Sequence, residues 1–145
     1  MQYSVYTDAA ASTEKNCVGC AYLIITDNDY VNSKAVTVTG FDNPTEAETV
    51  ALGIAANYLM ESVDLQKTDS IQFLTDCTAA VKFARQYMKN DDKVRSKNEY
   101  VRSSITMLRE LDKMVKLSFN KVAGHKASCN PNKHVDALAK LAIRR

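Results

Sequence analysis

The chain has 145 residues, 46% of them hydrophobic and 25% charged, with a formal net charge of +2. Those values suit one soluble globular domain with a continuous core. They exclude a global basic field as the means of holding nucleic acid, so any such partner must be met by a local patch.

The longest apolar run, Cys20 to Ile25, is about six residues, far short of the roughly 20 that span a bilayer. No membrane association is expected. The N-terminus enters a strand-like pattern directly, without the basic and apolar regions of a signal peptide. A cytoplasmic setting is therefore expected, and with it four free thiols.

In chain order, residues 3 to 8 are aromatic and β-branched and read as a strand that Asp8 closes. The small residues Ala9, Ala10, Ala11 and Ser12 follow as a flexible stretch. A second strand spans about Val18 to Thr26. A turn at residues 27 to 29 leads to a third, Tyr30 to Val38, completing an antiparallel meander. Asn43-Pro44-Thr45-Glu46 reads as a helix start, with Asn43 the N-cap, Pro44 the first helical residue and Glu46 closing a capping box. Helical spacing from Ala47 through Tyr58 carries this helix to about Met60. At about 100° per residue, Glu48 falls on the flank of its apolar stripe and Glu46 points toward solvent.

Ser70 to Thr75 reads as a short buried strand with Asp76 at its end. A helix follows from about Thr78 to Lys89, then a polar linker, residues 90 to 98, and a helix from about Glu99 to Val115. The last strand is Lys116 to Val122 and the last helix begins near Asn132. The order βββαβα(α)βα predicts an α/β domain over residues 1 to 145: a five-stranded mixed sheet, its first three strands antiparallel, flanked by helices. In such sheets, sites form beyond the C-terminal ends of parallel strands.

Four acids stand out on this map. Asp8 and Asp76 close strands, Glu48 borders an apolar stripe, and Asp136 lies near a helix start among Val135, Ala137, Leu138 and Ala139. Singly, each has a structural explanation: a turn former, a solvated helix flank, a cap. Together, carboxylates without cations would raise one another's pKa values, and hard divalent ions remove that penalty. All-oxygen ligands suit Mg²⁺ or Mn²⁺. Two such ions about 3.5–4 Å apart favour in-line displacement at phosphorus.

The motifs Tyr6-Thr7-Asp8, Ala47-Glu48-Thr49-Val50-Ala51-Leu52, Leu74-Thr75-Asp76-Cys77 with Ala79-Ala80-Val81, Gly124-His125, and Asn132 with Val135-Asp136-Ala137-Leu138-Ala139 resemble those of type I ribonuclease H, in the same order. The resemblance spans essentially the whole chain. It implies the ribonuclease H-like fold and endonucleolytic hydrolysis of the RNA strand of RNA–DNA hybrids. It also implies two Mg²⁺ ions, with Mn²⁺ as the alternative, held by Asp8, Glu48, Asp76 and Asp136. His125 occupies the place of the family's loop histidine, which assists proton transfer and product departure; a His pKa near working pH suits that task. Asn132 is implied in contacting the nucleic acid.

The chain departs from the family pattern at several points. Ala9 to Asn16 replace the glycine-rich loop after the first Asp. Pro44, Thr45 and Glu46 replace the polar and basic residues before the helical Glu. Cys77 stands where Ser is common. With no Trp in the chain, an aromatic contact to DNA falls to residues such as Phe83 or Tyr87. No separate hybrid-binding domain is expected. A local basic patch offers the duplex handle: Lys82, Arg85, Lys89, Lys93, Arg95, Lys97 and Arg102, diluted by Asp91, Asp92 and Glu99. A monomer is expected.

Other readings compete. A zinc site could be drawn from Cys17 and Cys20 with His125, Cys129 and His134. Cys20 opens an apolar strand, however, which favours small buried residues instead. The principal functional alternative is a catalytically weak or silent nucleic-acid-binding module on the same fold, whose mark would be a missing carboxylate; none is missing. A transposase or integrase core shares the fold but uses a different last acid and lacks the Gly-His loop.

Overall fold

Three strands, β1 (Gln2–Ser12), β2 (Cys17–Thr26) and β3 (Asp29–Thr39), form the expected antiparallel meander in a computed structural model of the chain. The structure describes residues 1–27, 29–89, 96–122 and 130–144. After α1 (Pro44–Ser62) come β4 (Ser70–Thr75), α2 (Thr78–Lys89), α3 (Glu99–Met114), β5 (Lys116–Lys121) and α4 (Asn130–Arg144). The five strands make one sheet in the order β3-β2-β1-β4-β5, with β4 parallel to both β1 and β5.

Pleating divides the sheet into two faces. Tyr3, Val5, Tyr22, Ile24, Ile71, Phe73 and Phe119 point toward α1, α2 and α3, where they meet Leu52, Leu59, Ala84, Ile105 and Leu108. Phe73 and Phe119 stack across β4 and β5 at 5.2 Å between ring centroids. Ala21 and Leu23 face the other way and pack on Val135 and Ala139 of α4, with Tyr6 and Ala10 of β1 beside them.

The approach of α4 to the sheet depends on Gly19. A Cβ there would lie 2.3 Å from the Ala139 carbonyl oxygen and 2.9 Å from the Ala142 Cβ. Two carbonyls near the C-terminus of α4 are then met by sheet-side donors. Thr37 Oγ1 donates to Ala142 at 2.6 Å and Lys15 Nζ to Ile143 at 2.8 Å.

At α1, Asn43 is the N-cap: its side chain accepts the Glu46 N–H at 2.9 Å, and Pro44 opens the helix. The Glu46 side chain does not point away to solvent as read from the periodicity. It is half-buried, and its carboxylate accepts the Ser96 hydroxyl at 3.3 Å.

Two boundaries differ in ways that matter for the site. The first strand does not close at Asp8. It runs to Ser12, because Ala9 to Ser12 pair in register with Cys17 to Cys20 and their small side chains fit under the helices. Cross-strand pairing overrides the weak β-propensity of Ala. The last helix begins at Asn130, so Asp136 lies more than a turn inside it, not at its start.

Candidate functional site

The site grows from a difference in strand length. β1 pairs with β4 only as far as Tyr6 and Leu74, while its pairing with β2 continues to Ser12. Beyond the end of β4, the edge of β1 is open, and there Asp8 sits with 4% exposure. The Ala9 N–H, on this unpaired stretch, donates to Asp8 Oδ1 at 2.9 Å and to Glu48 Oε1 at 3.2 Å.

Glu48 reaches the notch from the second turn of α1. Its helix neighbours Ala47, Val50 and Ala51 are anchored against β2 and β3, which turns Glu48 inward to 8% exposure. Its other oxygen, Oε2, faces the Thr75 hydroxyl at 3.5 Å. Asp76 follows β4 directly and is half-buried. Asp8, Glu48 and Asp76 each present an oxygen within 4.8 Å of the others. Among the described residues they are the one such group of metal-ligating side chains.

Asp136 arrives from α4 on the opposite face of the sheet. It stands close enough to Asp8 to push that carboxyl's pKa up, and its Oδ2 accepts Lys140 Nζ at 2.9 Å, one helical turn along. Its side chain is 32% exposed, so it borders the buried surface instead of being enclosed by it.

Burial pushes the Asp8 carboxyl well above the usual carboxylate range. A hydrogen bond with Glu48 opposes that, and the nearby Asp76 charge and the neighbouring Asp136 carboxyl add to it. Glu48 is raised further, first by burial, then by the Asp8 charge and its hydrogen bond to Asp8. Side by side and buried, the pair favours its protonated form over two full charges. Such a cluster resists its own ionisation and becomes favourable once a compact cation stands among its oxygens. The donor set fits Mg²⁺ or Mn²⁺: all carboxylate oxygens, close together, open on the Asp76 and Asp136 side.

The other site residues divide. Asn132, one turn before Asp136, is buried at 4% with its Oδ1 unpaired among the described residues. His125, Lys93 and Arg95 lie outside the described residues, as does Cys129; Lys89 is placed only as the end of α2. Lys82 and Lys97 are exposed. Two arginines of the expected patch are tied internally. Arg85 donates to the Phe119 carbonyl, and Arg102 donates to the Ser96 carbonyl at 2.8 Å and stands 3.8 Å from Glu99.

Phe83 and Tyr87 are not free for DNA. Their rings pack together at 4.6 Å and join the core, because both fall on the apolar face of α2. Cys17 and Cys20 are buried under the helices, with Cys20 Sγ donating to the Ala47 carbonyl at 3.4 Å, and His134 is exposed. Cys77 precedes α2, where its carbonyl accepts Val81 N at 3.2 Å, and burial pushes its thiol pKa up.

The sequence reading passed over two participants, Thr75 and Lys140. The Asp136–Lys140 pair was legible as an i,i+4 spacing of opposite charges. Thr75 had no signal beyond its position before Asp76.

The sequence profile of the RNase H family matches residues 1–144. No curated protein matches the chain. Among solved structures, it is similar to RNase H1 from the halophilic archaeon Halobacterium salinarum NRC-1, with a TM-score of 0.74 and 18% identity over 99% of this chain and 98% of that one. It is also similar to the N-terminal RNase H domain of a Mycobacterium tuberculosis protein, solved as a fusion with maltose-binding protein. There the TM-score is 0.74 and the identity 12%, over 99% and 94% of the two chains. At these identities the structures establish the shared fold, and the profile match establishes the kinship: the chain belongs to the RNase H family.

Proposed function

We propose that this protein is an endoribonuclease that hydrolyses the RNA strand of RNA–DNA hybrids, using two Mg²⁺ ions or, alternatively, Mn²⁺. The observation that carries the reading is the meeting of Asp8, Glu48 and Asp76 within 4.8 Å, with Asp136 near enough to Asp8 to raise its pKa. These four carboxylates would hold the ions. When bound, the ions supply an activated water and neutralise charge at the attacked phosphate.

The chain's own groups prepare that chemistry. Asp8 lies at the centre, next to Glu48, Asp76 and Asp136 at once. The Ala9 N–H fixes one oxygen of each of Asp8 and Glu48. The buried floor of the notch excludes water from their far side. His125, carried over from the family resemblance, would accept or deliver a proton as product leaves. Lys82 and Lys97, with Lys89, Lys93 and Arg95 of the same segment, would meet phosphates, and Asn132 the substrate near Asp136. Arg85 is a weaker candidate, since its guanidinium serves Phe119.

The test is a substrate panel: labelled hybrid, duplex DNA, duplex RNA and single strands, each with Mg²⁺, Mn²⁺ or EDTA. Cleavage confined to the RNA of the hybrid, requiring metal and lost by at least roughly 100-fold in Asp76→Asn, supports the reading; even outer partners of metal ligands cost 10–100-fold. Intact hybrid with either metal, or unchanged cleavage by Asp76→Asn, overturns it.

A further inference from the structure

We propose that Thr75 is a positioning residue for Glu48, its hydroxyl holding the carboxylate in the orientation that metal binding needs. The inference rests on the metal-centre reading above and extends it to a side chain that does not itself ligate.

Thr75 ends β4 at 2% exposure. Its backbone is fixed from the β5 side, where the Val122 N–H donates to its carbonyl at 2.9 Å. Its Oγ1 accepts the Cys77 N–H at 3.2 Å. With that lone pair engaged, the hydroxyl proton is directed elsewhere, and Glu48 Oε2 stands 3.5 Å away. Ala9 N–H holds the opposite oxygen, Oε1, at 3.2 Å. Glu48 is thus gripped on both oxygens from two strands, β1 and β4. A flexible three-torsion side chain is ordered before any ion arrives, which removes an entropy cost from binding.

A purely local role is the rival account, since a Thr hydroxyl that accepts an N–H two residues on is a common turn device. Substitutions separate the two. Thr75→Val keeps the shape and deletes the hydroxyl; Thr75→Ser keeps the hydroxyl and deletes the methyl. Mn²⁺ binding is measured by calorimetry on the metal-free proteins, alongside thermal unfolding in EDTA and kcat and KM on labelled hybrid.

Positioning predicts that Thr75→Val weakens Mn²⁺ binding by about 10–100-fold and lowers kcat at limiting metal, with KM for hybrid unchanged. Thr75→Ser restores binding. Should Thr75→Val fail to fold, Thr75→Ala takes its place. A folded variant without the hydroxyl that binds Mn²⁺ like the parent overturns the proposal while leaving the nuclease reading intact. A parent protein that neither binds Mn²⁺ nor cleaves hybrid defeats both.

Discussion

Burying Asp8 and Glu48 side by side makes their charge expensive, because desolvation and mutual repulsion both favour the neutral acids. Packing alone would prefer an amide at either position. Glu48→Gln keeps the size and removes the charge, and its amide oxygen can still accept the Ala9 N–H. Chemical denaturation at pH 8 in EDTA should therefore show this variant more stable than the parent by about 1 kcal/mol or more, while hydrolysis of hybrid falls by at least roughly 100-fold. A variant less stable than the parent would show that the Glu48 carboxylate serves the fold. Asp76 and Glu48 were legible from position, one at a strand end and one beside an apolar stripe, whereas Asp8 was singled out by a strand end that in fact lies at Ser12. Their mutual distance was not legible, since it depends on where β4 stops relative to β1.

At the scale of elements, the decisive contact is between α4 and β2. Asp136 rides on α4, and Gly19 sets how close that helix lies, with room for no Cβ against Ala139 and Ala142. Gly19→Ala should force α4 outward, at a cost of about 1–3 kcal/mol in unfolding free energy. A shift of about 1 Å at a catalytic group can cost up to roughly 100-fold. Hybrid cleavage, assayed where the variant is fully folded, should thus fall further than its stability loss explains. Parent-like cleavage would mean that α4 needs no such close seat. Helix and strand types were readable from periodicity, and β4 and α2 matched residue by residue. The extension of β1 to Ser12 was hidden because three consecutive alanines carry no strand signal of their own. The inward packing of Phe83 and Tyr87 was legible in the helical spacing of Ala80, Phe83, Ala84 and Tyr87, and the expectation of an aromatic contact to DNA went against it.

For the whole molecule, the acidic cluster couples folding to pH. Asp8 and Glu48 have folded pKa values above their ordinary ones, so below those ordinary values both states are protonated and the effect vanishes. As pH rises past them, the unfolded chain releases protons that the folded chain keeps, and stability falls by at most about 1.4 kcal/mol per pH unit for each retained proton. Metal-free protein should accordingly lose stability between about pH 5 and pH 8 on this account. Mg²⁺ binds only the deprotonated ligands, so it should reverse the trend, adding about 2.7 kcal/mol at a hundredfold excess over its Kd. Denaturation series with EDTA and with Mg²⁺ check both signs; a metal-free slope that rises with pH would contradict the buried pair. By itself, the sequence determined the order of the elements, the class of the sheet and the identity of the acids, since local periodicity, caps and turn residues act over a few neighbours. Only the tertiary structure decided that three of those acids share one notch, that the fourth reaches it from the other face of the sheet, and that Arg85 and Arg102 are already engaged. Those outcomes depend on strand overhang, helix seating and side-chain partners remote in the chain, which no local pattern encodes.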